Sequence, residues 1–158
     1  MSDRVPMRAS GYAALEAELK RLKTVERHKI VKEIEIARAH GDISENAELH
    51  AAKERQSHIE GRIIHLEDRL ARAQVIEAGG QNADAVRFGA TVELSDIESG
   101  DEVTYTIVGE DEADVSKGLI SVGSPIARAL LGKPVDETVT VQVPRGSRTF
   151  EIRAIRFE

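Results

Sequence analysis

Cysteine and tryptophan are absent from this 158-residue chain, and its aromatic share is only 3%. Without cysteine there is no disulfide framework, no thiolate zinc site and no cysteine nucleophile, a composition suited to a reducing compartment. So few aromatic rings cannot make an extended base-stacking surface. The chain also lacks any run of about 18 apolar residues that could span a bilayer, and its opening MSDRVPMRAS lacks the apolar stretch of a secretory signal. The expectation is a cytoplasmic protein with no membrane partner. Proline is scarce too, and none falls between Ser10 and Ile76.

Charge, by contrast, is plentiful: 32% of residues are charged, against about 25% in an ordinary globular chain. The formal net charge is -6, and it is unevenly spread. Residues 1–77 hold 14 basic and 14 acidic side chains, whereas residues 78–158 hold 8 and 14, so the whole excess lies in the second half. All five histidines lie in the first half. This segregation, with the turn-forming Gly79-Gly80-Gln81-Asn82 between the halves, predicts two domains, 1–77 and 87–158, joined by a linker at 78–86.

In the first half Leu49, Ala52, Gln56, Ile59, Ile63, Leu66, Leu70 and Ala73 recur at alternating spacings of three and four, a heptad seam that predicts helix through Ala73. Upstream, Leu15, Leu19 and Leu22 form one such segment and Ile30, Ile34 and Ala37 another. The seam slips by one residue near Glu26, which changes the local winding without ending the helix. His40-Gly41-Asp42-Ile43-Ser44 separates the two helices, with Gly41 suited to a helix end and Asp42 or Ser44 to an N-cap. A turn this short makes the helices antiparallel. At roughly 30 residues each they reach on the order of 45 Å, more than burial of a narrow stripe requires. Two readings fit: a dimerising coiled coil, or a probe that carries its turn to a distant place.

The second half is rich in short Val, Ile and Thr runs, predicting strands at 88–94, 103–108, 119–122, 138–143 and 149–155. Turns are expected at Ser99-Gly100 and at Pro144-Arg145-Gly146-Ser147. One helix is signalled by Ser124 as N-cap, Pro125 in the first turn and Gly132 beyond the end. The fold class is α+β in two domains, a long antiparallel helical hairpin followed by a small sheet with one short helix. No phosphate loop or catalytic serine or zinc motif is present.

Carboxylates cluster at the hairpin turn, residues 41–48. Asp42 and Glu45, three apart, offer hard oxygen ligands of the kind Mg²⁺ accepts, but two carboxylates leave most of an octahedral shell to other donors. The same Asp-x-x-Glu spacing is also a capping box, with acids favoured at a helix N-terminus. Arg38, Lys53 and Arg55 lie close by in sequence and could hold phosphates, although a charged flank is also ordinary solvated surface. His50 with Glu54, and His58 with His65, lack a third ligand for zinc.

The stretch Ala39-His40-Gly41-Asp42-Ile43-Ser44-Glu45-Asn46-Ala47-Glu48-Leu49-His50-Ala51-Ala52-Lys53-Glu54 resembles the signature of the bacterial transcript cleavage factors, the GreA/GreB family, and its GreA branch more than its GreB branch. Further matches are Glu60-Gly61-Arg62-Ile63, Phe88-Gly89-Ala90-Thr91-Val92, Ile107-Val108-Gly109 with Asp111-Glu112-Ala113-Asp114, and Ser124-Pro125-Ile126-Ala127-Arg128.

The resemblance implies a coiled-coil hairpin that enters the secondary channel of bacterial RNA polymerase. It also implies an FK506-binding-protein-like C-terminal domain that docks at the channel mouth. By the same resemblance the factor is not itself an enzyme. Asp42 and Glu45 are lent to the polymerase active site, where they help hold a shared Mg²⁺ whose water cuts backtracked RNA. The free protein, expected to be a monomer, needs no cofactor. Arg38 and Lys53 match positions that contact the extruded RNA 3' end, with Lys where Arg is common, which loses the bidentate phosphate fork. Ser124 and Pro125 match the docking helix start, and Gly123 stands where the GreB branch carries Asp. Leu49 stands where the family usually has Tyr, which keeps in view a secondary-channel regulator that inhibits without efficient cleavage. A prolyl isomerase or chaperone, or a coiled-coil adaptor, are the remoter alternatives.

Overall fold

The apolar heptads of the first half turn their side chains inward between two helices. A computed structural model of the chain describes residues 4–39, 46–77 and 83–157. Strand β1 (Val5–Arg8) runs into α1 (Ala9–Arg21), a π-helical turn (Leu22–Glu26) and α2 (Arg27–Ala39), and α3 (Ala47–Ala71) returns alongside. Ile30 and Ile34 pack on Ala52, flanked by Leu49 and Ile59. Cross-pairs of Arg27 with Glu60 and Lys23 with Glu67, each 2.8 Å, set the helices antiparallel. Those exposed pairs contribute little to stability. Burial of seam residues such as Ile63 and Leu66, at about 1.5–3 kcal/mol each, does most of it.

The π turn is the physical form of the expected slip. Its wider winding takes up one residue between Leu22 and Ile30 and is closed by the Arg27 N–H donating to the Leu22 carbonyl. Thr24 Oγ1 also donates to the Lys20 carbonyl at 2.7 Å.

One expectation is corrected. The helical seam read through Ala73 stops at Ala71, and Ala73–Ile76 form strand β2. This strand pairs in parallel with β1, Val5 opposite Ala73 and Arg8 opposite Ile76. Val75 and Ile76 are β-branched, and a waiting edge at β1 gives their backbone a ladder, so the tertiary partner overrides the heptad period. Asn46 is the N-cap residue of α3, and its side chain makes no capping hydrogen bond; the caps expected from sequence, Asp42 and Ser44, fall outside the described residues. His40 to Glu45 lie outside the described residues.

All five strands expected in the second half are present: β3 (Ala90–Asp96), β4 (Glu102–Val108), β5 (Leu119–Ser121), β6 (Thr138–Val143) and β7 (Gly146–Phe157). They form one sheet in the order β5-β4-β3-β7-β6, antiparallel except for the β4–β5 pair. Helix α4 (Pro125–Leu130) is capped as its sequence signals, with Ser124 Oγ accepting from the Ala127 N–H at 3.3 Å and Gly132 at φ 83° beyond its end. Its Ala127 and Leu130 join Val92, Ile107, Phe150 and Ile152 in the core. Two compact units result, Tyr12–Arg72 and, separately, Met1–Gly11 with Ala73–Glu158, so the β1–β2 pair groups with the sheet.

Candidate functional site

In the hairpin unit, Arg38 occupies the last turn of α2 and Lys53 lies near the start of α3. Both side chains are exposed, and together they line a shallow groove of about 220 Å³ with Val31, Ile34, Glu35 and Gln56. The antiparallel return of α3 thus brings two cations separated in sequence to one surface. Their neighbours are differently employed. Arg55, grouped with them from sequence, is paired with Glu33, Arg62 with Glu18 at 2.7 Å and Arg27 with Glu60. Among the described residues Arg38 and Lys53 enter no ion pair, which leaves both charges available to an anion. The carboxyls paired with the neighbouring arginines carry the imprint: Arg62 beside Glu18, and Arg27 beside Glu60, hold those groups below the usual glutamate range, mainly by hydrogen bonding.

Leu49 is half-buried in the seam against the Ile30 and Ile34 cluster, so in this chain the position serves packing. Asp42 and Glu45 lie outside the described residues, between the ends of α2 and α3. Among the described residues, Glu48 is the acid in the first turn of α3, behind Asn46 at its N-cap. His58 faces Glu54 at 4.0 Å, and no group of three or more His, Asp or Glu among the described residues is placed to hold a metal.

In the sheet unit, Ser124 is spent on capping α4 while Pro125 is exposed at its first turn. Beside them lies an open apolar depression of about 250 Å³ bordered by Tyr105, Pro125, Ile126, Val143, Arg148 and Phe150. The Arg148 guanidinium stacks 5.0 Å from the Phe150 ring centre and donates to Asp96 Oδ2 at 2.8 and 3.1 Å. Asp96 Oδ1 accepts from the Glu98 and Ser99 N–H groups. Arg148 first, and the Ser99 N–H next, hold the Asp96 carboxyl below the usual aspartate range. This depression was not signalled in the sequence, because its walls come from four separate segments with no local spacing in common.

Residues 5–75 match the domain family described as Transcription elongation factor, N-terminal, and residues 81–157 the one described as Transcription elongation factor, GreA/GreB, C-term. Transcription elongation factor GreA of Anaeromyxobacter sp. (strain K) is 60% identical over 154 residues, covering 98% of this chain and 93% of that protein. GreA of Hyphomonas neptunium is 59% identical over 150 residues, covering 95% and 96%. Among solved structures, GreA factor homolog 1 (Gfh1) of Thermus thermophilus is 32% identical and covers 97% of this chain and 99% of that one, with a TM-score of 0.45. The chain belongs to the GreA/GreB family of transcription elongation factors.

Proposed function

We propose that this chain docks on bacterial RNA polymerase through the α4 end of its sheet unit, sends its hairpin tip into the secondary channel and stimulates the polymerase's own hydrolysis of backtracked RNA. The observation that carries the reading is the match of both halves to the family at high identity over nearly the whole chain. Two local features support it. Arg38 and Lys53 are uncommitted cations on one groove, suited to the phosphates of an extruded RNA 3' end. The exposed Pro125 and the depression beside it offer an apolar docking face.

Asp42 and Glu45, in the segment between α2 and α3, are the acids lent to the polymerase. As hard oxygen donors they fit Mg²⁺, with the remaining positions filled by the polymerase and water. The chemistry that a Mg²⁺ held there would supply is a more acidic water as nucleophile. The acids' own work is to accept hydrogen bonds from that water and balance the cation's charge. The factor works as a monomer and contributes no complete active site.

The test is a stalled, backtracked polymerase complex incubated with the factor and Mg²⁺, with RNA length as the readout. Asp42→Asn and Glu45→Gln keep the shape of each side chain but remove its charge. Both are expected to abolish most of the shortening while melting temperature and polymerase binding stay near wild type, with Asp42→Asn the more severe. Full activity in both would reduce the acids to local structure. Slowed polymerase without shortened RNA would favour the inhibitory regulator instead.

A further inference from the structure

The segment Gly109 to Asp114 is given no role of its own in the reading above, yet it contains an enclosed carboxylate. Only 4% of the Glu112 side chain is exposed. Glu112 Oε2 accepts from the Gly109 N–H at 2.8 Å and from the Arg8 N–H at 3.1 Å, and Oε1 accepts from Arg8 Nε at 2.8 Å. Arg8 is 104 residues away in the chain. The surroundings are cut to this group. A Cβ on Gly11, in the first turn of α1, would overlap the Glu112 carboxylate, and a Cβ on Gly109 would run into the Pro6 carbonyl. Two glycines thus leave room for one carboxylate and for the strand it binds.

Enclosing a carboxylate carries a desolvation penalty that an apolar contact avoids. What the carboxylate adds is direction. Its bonds go to the main chain of β1 as well as to the Arg8 guanidinium, so they set where the backbone lies and not merely that two surfaces adhere. Arg8 is the last residue of β1 and Ala9 the first of α1, so the segment held is the entry to the hairpin's first helix.

The geometry points to Glu112 as a positioning residue for transcript cleavage, one that anchors the Arg8–Gly11 root of the hairpin. This rests on the cleavage reading above. Glu112 touches neither RNA nor metal and acts through Arg8 and the first turn of α1. Loss of the anchor leaves the tip acids intact but presents them less often in a productive position, a defect in maximal stimulation and not in docking.

The experiment uses the full chain with Glu112→Ala, Glu112→Gln and Gly11→Ala. Hydrogen exchange is read at the Arg8 and Gly109 amides, alongside melting temperature and dose–response curves for RNA shortening on backtracked polymerase. In Glu112→Ala both amides exchange faster, and maximal stimulation falls about tenfold, as expected when reacting groups lose orientation. The half-maximal concentration stays within about twofold, since docking is untouched. Glu112→Gln, which keeps an acceptor oxygen, recovers most of the stimulation. Gly11→Ala, which deletes no partner, reproduces the Glu112→Ala defect. Wild-type maximal stimulation despite faster exchange would overturn the positioning role. Stimulation and half-maximal concentration worsening together with melting temperature would reduce Glu112 to a stabilising contact. A wild-type chain that shortens no RNA would instead remove the cleavage reading, and unchanged amide protection in Glu112→Ala would separately remove the anchor.

Discussion

Asp96 joins a turn to a strand with one carboxylate: one oxygen closes the loop after β3 through the Glu98 and Ser99 amides, and the other holds Arg148 of β7 on the Phe150 ring. Because pairing lowers its pKa in the folded chain, its ionised form favours folding above the ordinary aspartate range near about 4. That contribution is lost as pH falls through the lower folded value. Asp96→Asn keeps an oxygen for the loop amides but cannot titrate. Its melting temperature is therefore expected below wild type at pH 7, with the gap narrowing as pH drops below about 4. A gap that stays constant across thermal melts in acid would assign the effect to packing. A second prediction concerns Arg38 and Lys53. Replacing both with Ala removes the uncommitted charge of the groove and leaves the seam untouched, so RNA shortening should suffer most where the extruded RNA is long enough to reach the hairpin flank. Equal loss on short and long extrusions, measured on defined backtracked complexes, would point to a docking defect.

At the level of elements, the π turn gives a test of register. Deleting Thr24 brings Leu22 and Ile30 to heptad spacing, and a plain α-helix then keeps both on the seam. The variant is expected to retain its helical circular dichroism and to melt no lower than wild type. A clear drop in melting temperature would mean that the π turn serves more than register. The same turn marks how far the sequence could be read. The slip at Glu26 was visible because helical packing is periodic and local, and Ser124, Pro125 and Gly132 bounded α4 because caps are local chemistry. Strands β1 and β2 were not visible, since four residues such as Ala73–Ile76 become a strand only when Val5–Arg8 lie beside them. The candidate site divided likewise. Arg38 and Lys53 stood out from sequence, but that Arg55 belongs to Glu33 depends on which residues face each other across two helices.

For the molecule as a whole, the acid excess lies in the half that carries the sheet, and the hairpin half is electrically balanced. Under the proposed reading, Asp42 and Glu45 fill only part of a Mg²⁺ shell and the polymerase supplies the rest. Purified factor with free RNA and Mg²⁺ is expected to leave the RNA at full length by gel electrophoresis, and cleavage by contaminant-free protein would sink the idea of lent catalysis. The parallel pairing of β1 with β2 also orders events in time. Val5 has no ladder partner until Ala73 has been made, and Arg8 must wait for Glu112. Contacts so distant along a chain close slowly unless something local first draws the ends together. The hairpin does this, since its helices need only one another to form and, once zipped, return Ala73–Ile76 to within reach of β1. On a ribosome, then, the first strand to emerge should be among the last to settle, remaining open to chaperones and proteases until most of the sheet unit has followed it out.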